Sequence, residues 1–265
     1  MSDKTCEIAF FSGTGNTSLA VAEIAKVLSN SDLSVSVRTI ENSSPEDLGR
    51  SDLLGIAFPV AAGATYPFVL DFLEELPSSS DGKAFLAVTM GSSPGNVGLH
   101  VRELLREKGY APTGMAQIIM PTNFRRLRSP NMRDREVLRE GLESARSFAR
   151  NYLEGGTDWN HGDVEPDFAG MREDAATLWK ILRSRYTLSV NESRCDGCEL
   201  CAEVCPVGNI TMEQGLPVFH DNCQVCMRCF SLCPQKAITV GGVEYEQWST
   251  SEEPWRIEGF DPEQV

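Results

Sequence analysis

The sequence predicts an α/β chain: a doubly wound, five-stranded parallel sheet followed by a small α+β cysteine-rich domain. Three observations predict it. Short apolar runs alternate with helical periodicities between residues 5 and 154. A stretch with Gly, Pro and acids but no periodicity, residues 155–170, then breaks the pattern. Beyond it, eight of the nine cysteines fall between residues 195 and 233, in two runs of identical spacing.

The elements follow in order. EIAFF (7–11) is a short apolar run, and Asn16 to Leu28 carries Leu19, Ala20, Ile24, Val27 and Leu28 at helical spacing. LSVSVRTI (33–40) alternates as a half-exposed strand does, and LLGIAF (53–58) is continuous like a fully buried one. Pro67 to Leu76 reads as a helix, AFLAVTM (84–90) as a strand, and Asn96 to Lys108 as a helix. MAQIIM (115–120) is the fifth strand, and Arg133 to Leu153 a long final helix. Apolar strands separated by helices mean a parallel sheet covered on both faces. Residues 171–185 read as a connecting helix with Leu178, Ile181 and Leu182 on its apolar side. The expected division is therefore 1–154, a linker and connecting helix over 155–186, a cysteine domain over 187–240, and an acidic tail over 241–265. Trp248 and Trp255 would anchor that tail on another part of the protein.

Composition narrows the function. An apolar content of 41% over 265 residues supplies a core for one large or two modest domains. A net charge of −14 and a pI near 4.7 exclude nucleic acid and anionic membrane surfaces as natural partners. Residues 53–70 are uncharged, but Pro59, Gly63, Thr65 and Pro67 interrupt them, so no membrane span is expected. The start, MSDKTCEIAFF, lacks the pattern of a secretory signal, and clustered cysteines without one suit a reduced, cytoplasmic protein.

Each cysteine run reads C-x2-C-x2-C-x3-C-P, and a shift of 28 residues lays Cys195–Met212 on Cys223–Val240. All four Cys, the Pro, an Ile and a Thr coincide, and Val190 lands on Val218. Iron–sulfur ligation stands ahead of two zinc sites or disulfides, since zinc ribbons pair two C-x2-C knuckles across a longer gap. The module resembles bacterial ferredoxins with two [4Fe–4S] clusters over about residues 187–240. The resemblance implies that the fourth Cys of each run serves the other cluster. Cluster one would take Cys195, Cys198, Cys201 and Cys233, and cluster two Cys223, Cys226, Cys229 and Cys205. Cys6 reads as a buried strand residue, and His220 as a surface one.

FSGTGNT, beginning at Phe11, lacks the glycine spacing and Lys of a nucleoside-triphosphate loop, and it is not G-x-G-x-x-G. Ser12, Gly13, Thr14, Gly15, Asn16 and Thr17 offer hydroxyls and backbone N–H groups at a helix start, which suits one compact phosphate. In this position, after the first of five strands, the loop resembles the phosphate loop of flavodoxins, through Ser12, Thr14, Gly15 and Thr17. That resemblance covers about residues 5–154 and implies FMN and the strand order 2-1-3-4-5. It also implies two loops beside the flavin: Pro59, Val60, Ala61, Ala62 and Gly63 after strand three, and Gly91, Ser92, Ser93, Gly95 and Asn96 after strand four. Flavodoxins usually stack aromatic side chains from these loops, whereas this chain has small residues there. Tyr66 and Phe124 are the aromatic candidates; Phe124 lies in MPTNFRR, a segment similar to one in flavodoxin–ferredoxin fusion proteins of anaerobes.

Arg125, Arg126 and Arg128 form a basic island that Arg133 and Arg135 extend. It would serve an anionic reduced flavin, dock an acidic partner or phosphorylated substrate, or be a solvated face. No nucleophile-elbow motif is present, and no catalytic residue is assigned. The whole-chain resemblance is to flavodoxin–ferredoxin fusions. It implies an electron-transfer protein of anaerobic metabolism that couples FMN to two [4Fe–4S] clusters and serves a redox partner protein, as a monomer or a homodimer. The alternatives are an FMN-dependent reductase fed by its own clusters, and a flavin-free docking module.

Overall fold

The computed structural model describes residues 4–48, 50–121, 132–156, 159 and 165–241. The first unit comprises β1 (Lys4–Phe10), α1 (Asn16–Leu28), β2 (Leu33–Thr39), β3 (Leu53–Pro59) and α2 (Pro67–Glu75). It continues with β4 (Lys83–Met90), α3 (Val97–Glu107), β5 (Ala111–Ile119) and α4 (Met132–Leu153). All neighbouring strands pair in parallel, in the order β2-β1-β3-β4-β5. This is the order the flavodoxin resemblance implies.

Burial explains the order. From Leu53 to Phe58 every residue of β3 is buried, as is every residue of β4 after Lys83, so these strands belong in the middle. At the edges, β2 exposes its serines and β5 alternates over its second half. β5 begins at Ala111, four residues before the apolar run that predicts it, because Ala111 and Pro112 pair with Lys83 and Ala84. The apolar run marks only the part of the strand that contributes to the core.

Helices α1 and α4 cover one face of the sheet, through Val21, Ile24 and Leu28 on one side and Ala145 and Ala149 on the other. Helices α2 and α3 cover the opposite face, and there they meet α5 (Phe168–Arg185). The face that α5 buries is Met171, Ala175 and Trp179, at i, i+4 and i+8. Leu178 and Ile181, expected on the apolar side, are 44% and 56% exposed.

The linker is stapled to α3. Trp159 is buried; its Nε1 donates to the Gly98 carbonyl (2.9 Å), and its own carbonyl accepts from Arg102 (2.9 Å). The Asp167 N–H donates to His100 Nδ1 (2.8 Å), and the Asp167 carboxylate caps α5 by accepting from the Gly170 N–H (2.8 Å). Arg172 of α5 then reaches Asp71 and Glu74 of α2.

The cysteine-rich unit holds β6 (Leu188–Val190), α6 (Leu200–Glu203), β7 (Ile210–Glu213), β8 (Leu216–Phe219), α7 (Arg228–Leu232) and β9 (Ile238–Val240). β6 pairs antiparallel with β9, and β7 with β8. The sequence repeat is also a backbone repeat. Gly197, Glu199 and Gly208 have left-handed φ values of 72°, 63° and 59°; their counterparts Val225, Met227 and Lys236 have 51°, 63° and 52°. A β-branched residue such as Val225 adopts this region only under local constraint. Its N–H is held toward Cys223 Sγ at 3.3 Å.

Phe124, Arg125, Arg126, Arg128, Trp248 and Trp255 lie outside the described residues. Among the described residues, no helix is long and apolar enough to cross a membrane.

Candidate functional site

A cavity of about 410 Å3 opens at the carboxyl ends of β1, β3 and β4. This is the crevice where the strand order reverses, the usual ligand position in open α/β sheets. Its volume lies within the roughly 300–1,000 Å3 typical of cofactor pockets.

Ser12, Gly13, Thr14, Asn16 and Thr17 line one part of it, at the start of α1. Gly15 sits behind them as the left-handed residue (φ 106°) that turns the chain into the helix. Several of the expected phosphate-binding side chains brace the loop instead. Ser12 Oγ accepts from the Gly15 N–H (3.1 Å), Asn16 Nδ2 donates to the Pro121 carbonyl (2.8 Å), and the Thr17 and Thr89 hydroxyls are 2.7 Å apart. The loop is thereby tied to the ends of β4 and β5.

Pro59, Val60, Ala61, Ala62 and Gly91 also line the cavity. Ala61 and Ala64 close a tight turn whose central residues, Ala62 and Gly63, both have positive φ. Gly63, Ser92, Ser93, Gly95 and Asn96 do not line the cavity. The two loops are nevertheless neighbours, since a Cβ on Gly95 would lie 3.5 Å from the Gly63 carbonyl oxygen.

Aromatic surface comes from Tyr66, at the end of the strand-three loop, and from α5 and its C-terminal end. Tyr66, Trp179 and Tyr186 line the cavity, with Leu178, Ile181 and Leu182 beside them. Tyr66 is 5.0 Å from Trp179 and 5.1 Å from Phe11, centroid to centroid. Trp179 Nε1 donates to the Thr65 carbonyl at 3.0 Å, which fixes the indole against the strand-three loop. Burial raises the Tyr66 phenol well above its ordinary pKa. Sequence reasoning missed α5 as a wall. The available signal was Trp179 itself, spaced at i+4 and i+8 from Ala175 and Met171.

Cys226 and Met227 complete the wall. Gly13 makes this possible: a Cβ there would lie 2.4 Å from the Cys226 carbonyl oxygen. The phosphate-type loop and the second cysteine run are therefore in backbone contact.

The eight clustered cysteines gather around two small hollows. One is lined by Cys195, Cys198, Cys201 and Cys233; the other by Cys205, Cys223, Cys226 and Cys229. Each hollow takes three thiols from one run and the fourth from the other. Backbone N–H groups point at sulfur in both halves: Asn209 to Cys205 (3.2 Å), and Ala237 to Cys233 (3.4 Å). Among the described residues, no three His, Cys, Asp or Glu side chains are grouped to hold a single metal ion. Four thiols spread around a hollow, with N–H donors to sulfur, fit a multi-iron cluster.

The two hollows differ in charge and exposure. Cys198 is exposed, and its N–H reaches Asp196 Oδ1 at 3.3 Å. Burial pushes the Cys226 thiol up to about 12, opposed by the Arg228 N–H and the Arg228 charge. Burial likewise raises Cys223, against the charge of Arg183. Asp196 lines the first hollow, whereas Arg228 and Arg183 lie outside the lining of the second and act on its thiols through their charge. Cys6, buried in β1, is displaced to about 12 mainly by burial and lies apart from both. His220 is exposed and bonds the Thr211 hydroxyl (2.9 Å), as a surface residue does.

Fold and sites together define a class: a flavodoxin-like doubly wound domain joined to an iron–sulfur domain of the ferredoxin kind. Residues 188–211 match the 4Fe-4S binding domain family, a segment that contains the first cysteine run. The first unit is similar to oxidised Flavodoxin 2 from Bacillus cereus, with 18% identity and a TM-score of 0.46 over 57% of this chain and 98% of that one. It is similar also to two-electron reduced Megasphaera elsdenii flavodoxin, with 19% identity and a TM-score of 0.41 over 55% and 98%. A short-chain flavodoxin associated with a bacterial microcompartment gives 17% identity and a TM-score of 0.45 over 58% and 99%. No curated protein matches the chain.

Proposed function

We propose that the protein is an electron-transfer protein that binds FMN in the cavity at the switch point and two [4Fe–4S] clusters in the thiol hollows. One observation carries the reading: Cys226 and Met227 line the same cavity as Ser12, Gly13, Thr14, Asn16 and Thr17, so the flavin site and the second cluster site share a wall. When bound, FMN exchanges one or two electrons and each cluster exchanges one.

The residues divide the work. Thr14 and backbone N–H groups at the start of α1 receive the phosphate, on a loop that Ser12, Asn16 and Thr17 brace. Val60, Ala61, Ala62 and Gly91 leave room for a flat ring, and Tyr66, Trp179 and Tyr186 supply aromatic surface and exclude water. Cys195, Cys198, Cys201 and Cys233 hold the first cluster; Cys205, Cys223, Cys226 and Cys229 hold the second. The exposed Cys198 marks the first cluster as the one a redox partner protein approaches.

The test is anaerobic purification, then iron, acid-labile sulfide and flavin measured on one sample. About eight irons and about one FMN per chain are expected from two four-iron clusters. Iron without flavin after incubation with FMN would retire the flavin assignment and leave a ferredoxin carrying a docking domain.

A further inference from the structure

One side chain joins the two sites. Arg228 lies between Cys226 and Cys229, yet its guanidinium points into the flavodoxin-like unit. Its Nη2 and Nε donate to the Ser12 carbonyl, at 2.7 and 3.2 Å, and Nη1 donates to the Val204 carbonyl at 3.3 Å. Val204 immediately precedes Cys205, the crossover thiol of the same hollow. Nη2 also lies 2.6 Å from Glu41 Oε1; the two side chains are only 3% and 5% exposed. The guanidinium stands over the Phe11 ring at 4.9 Å from its centroid.

This constellation exceeds what packing two domains requires. Burying an ion pair costs desolvation that ordinary apolar contact avoids. Neither Glu41 carboxylate oxygen, moreover, accepts a hydrogen bond among the described residues, so its contact with Nη2 is one of charge and proximity alone. The internal repeat isolates the feature: Glu199 and Leu200 of the first run correspond to Met227 and Arg228 of the second. Apolar and charged positions are exchanged in the run that faces the flavodoxin-like unit, and only there.

We propose that Arg228 is a positioning residue that couples flavin binding to assembly of the second cluster. The inference rests on the FMN and cluster assignments made above. A cluster held by Cys205, Cys223, Cys226 and Cys229 fixes the loop that carries Arg228. Arg228 in turn fixes the Ser12 carbonyl, and with it the loop that receives the phosphate. A loop already in its bound shape binds more tightly, because less order remains to be imposed. Coupling between two sites is reciprocal, so bound FMN must stabilise the second cluster. Because iron leaves only when the cluster loop opens, a loop held shut by this coupling releases iron more slowly.

The reciprocal effect is the cleaner one to measure. Full-length, cluster-loaded protein is mixed anaerobically with an excess of a ferrous-iron chelator, with and without saturating FMN, and iron release is followed. In the wild type, FMN slows release of about half the iron by about fivefold or more. In Arg228→Met, FMN still binds, as read by flavin fluorescence, but release with and without it agrees within about twofold. A wild type that binds FMN but shows no protection overturns the inference, and so does an Arg228→Met variant that keeps full protection. If Arg228→Met does not load iron, Arg228→Lys decides: it keeps a charge beside Glu41 but cannot span the Ser12 and Val204 carbonyls as the guanidinium does. Reduced protection in Arg228→Lys supports the coupling; unchanged protection overturns it. Loaded wild type that binds no FMN at all sinks the flavin assignment itself, a result distinct from FMN bound without protection.

Discussion

Gly13 is the residue on which the shared wall depends. The obstacle to a Cβ there is the Cys226 carbonyl, which is backbone and cannot swing aside. Gly13→Ala therefore forces the phosphate-type loop and the second cysteine loop apart. A loss of about 1–3 kcal/mol of stability is expected, as for other overpacked sites, together with weaker FMN binding. Denaturant unfolding and a flavin titration of the same variant check both; unchanged values in each would mean that the contact is not as close as described. The sequence announced Gly13 only as part of a phosphate loop. It could not announce the contact, because nothing local in FSGTGNT points to a residue more than two hundred positions away. Arg228 was hidden for a related reason. One arginine among cysteines looks like a solvated spacer, and only comparison with Leu200 across the repeat singles it out.

At the scale of elements, α5 departs most from expectation. The first unit was legible because central parallel strands must be apolar on both faces, as LLGIAF and AFLAVTM are. The crossover grouping of thiols entered only through the resemblance to two-cluster ferredoxins that the two runs carry; the spacing alone does not say which run supplies a fourth thiol. Helix α5 was not legible, since its most conspicuous hydrophobes, Leu178 and Ile181, border the cavity and the buried stripe runs through Met171, Ala175 and Trp179. Trp179 is 2% exposed and bonds the Thr65 carbonyl, so Trp179→Ala removes a large buried ring and strands an acceptor. A cost of about 3–5 kcal/mol is expected from comparable truncations. FMN affinity falls with it, because the indole is part of the cavity wall. Chemical denaturation and a flavin titration give the two numbers, and full FMN affinity in a folded variant would remove α5 from the flavin site.

At the scale of the molecule, the linker is held by groups that respond to pH. His100 is 8% exposed and accepts the Asp167 N–H, which requires Nδ1 to be unprotonated. Burial holds its pKa below the usual 6.5, partly offset by the charge of Asp167. A depressed histidine pKa means that the unfolded chain binds more protons than the folded one, so stability rises with pH. The contribution is fully present above about 6.5 and is lost as pH falls from there through the lower folded value. His100→Asn should flatten that part of the pH profile, as read by unfolding at pH 7.5 and 5.5; a parallel profile would place the proton uptake elsewhere.

The meeting of Gly13 with Cys226, sealed by Arg228 and Glu41, has a consequence for modularity. Two domains on a simple tether accumulate changes separately. Here a side chain gained at position 13, or a new shape in the loop at 226–228, is tolerated only with a matching change on the other side. The two halves are therefore not interchangeable parts: neither can be swapped for a counterpart from another chain without refitting this contact between two stretches of backbone.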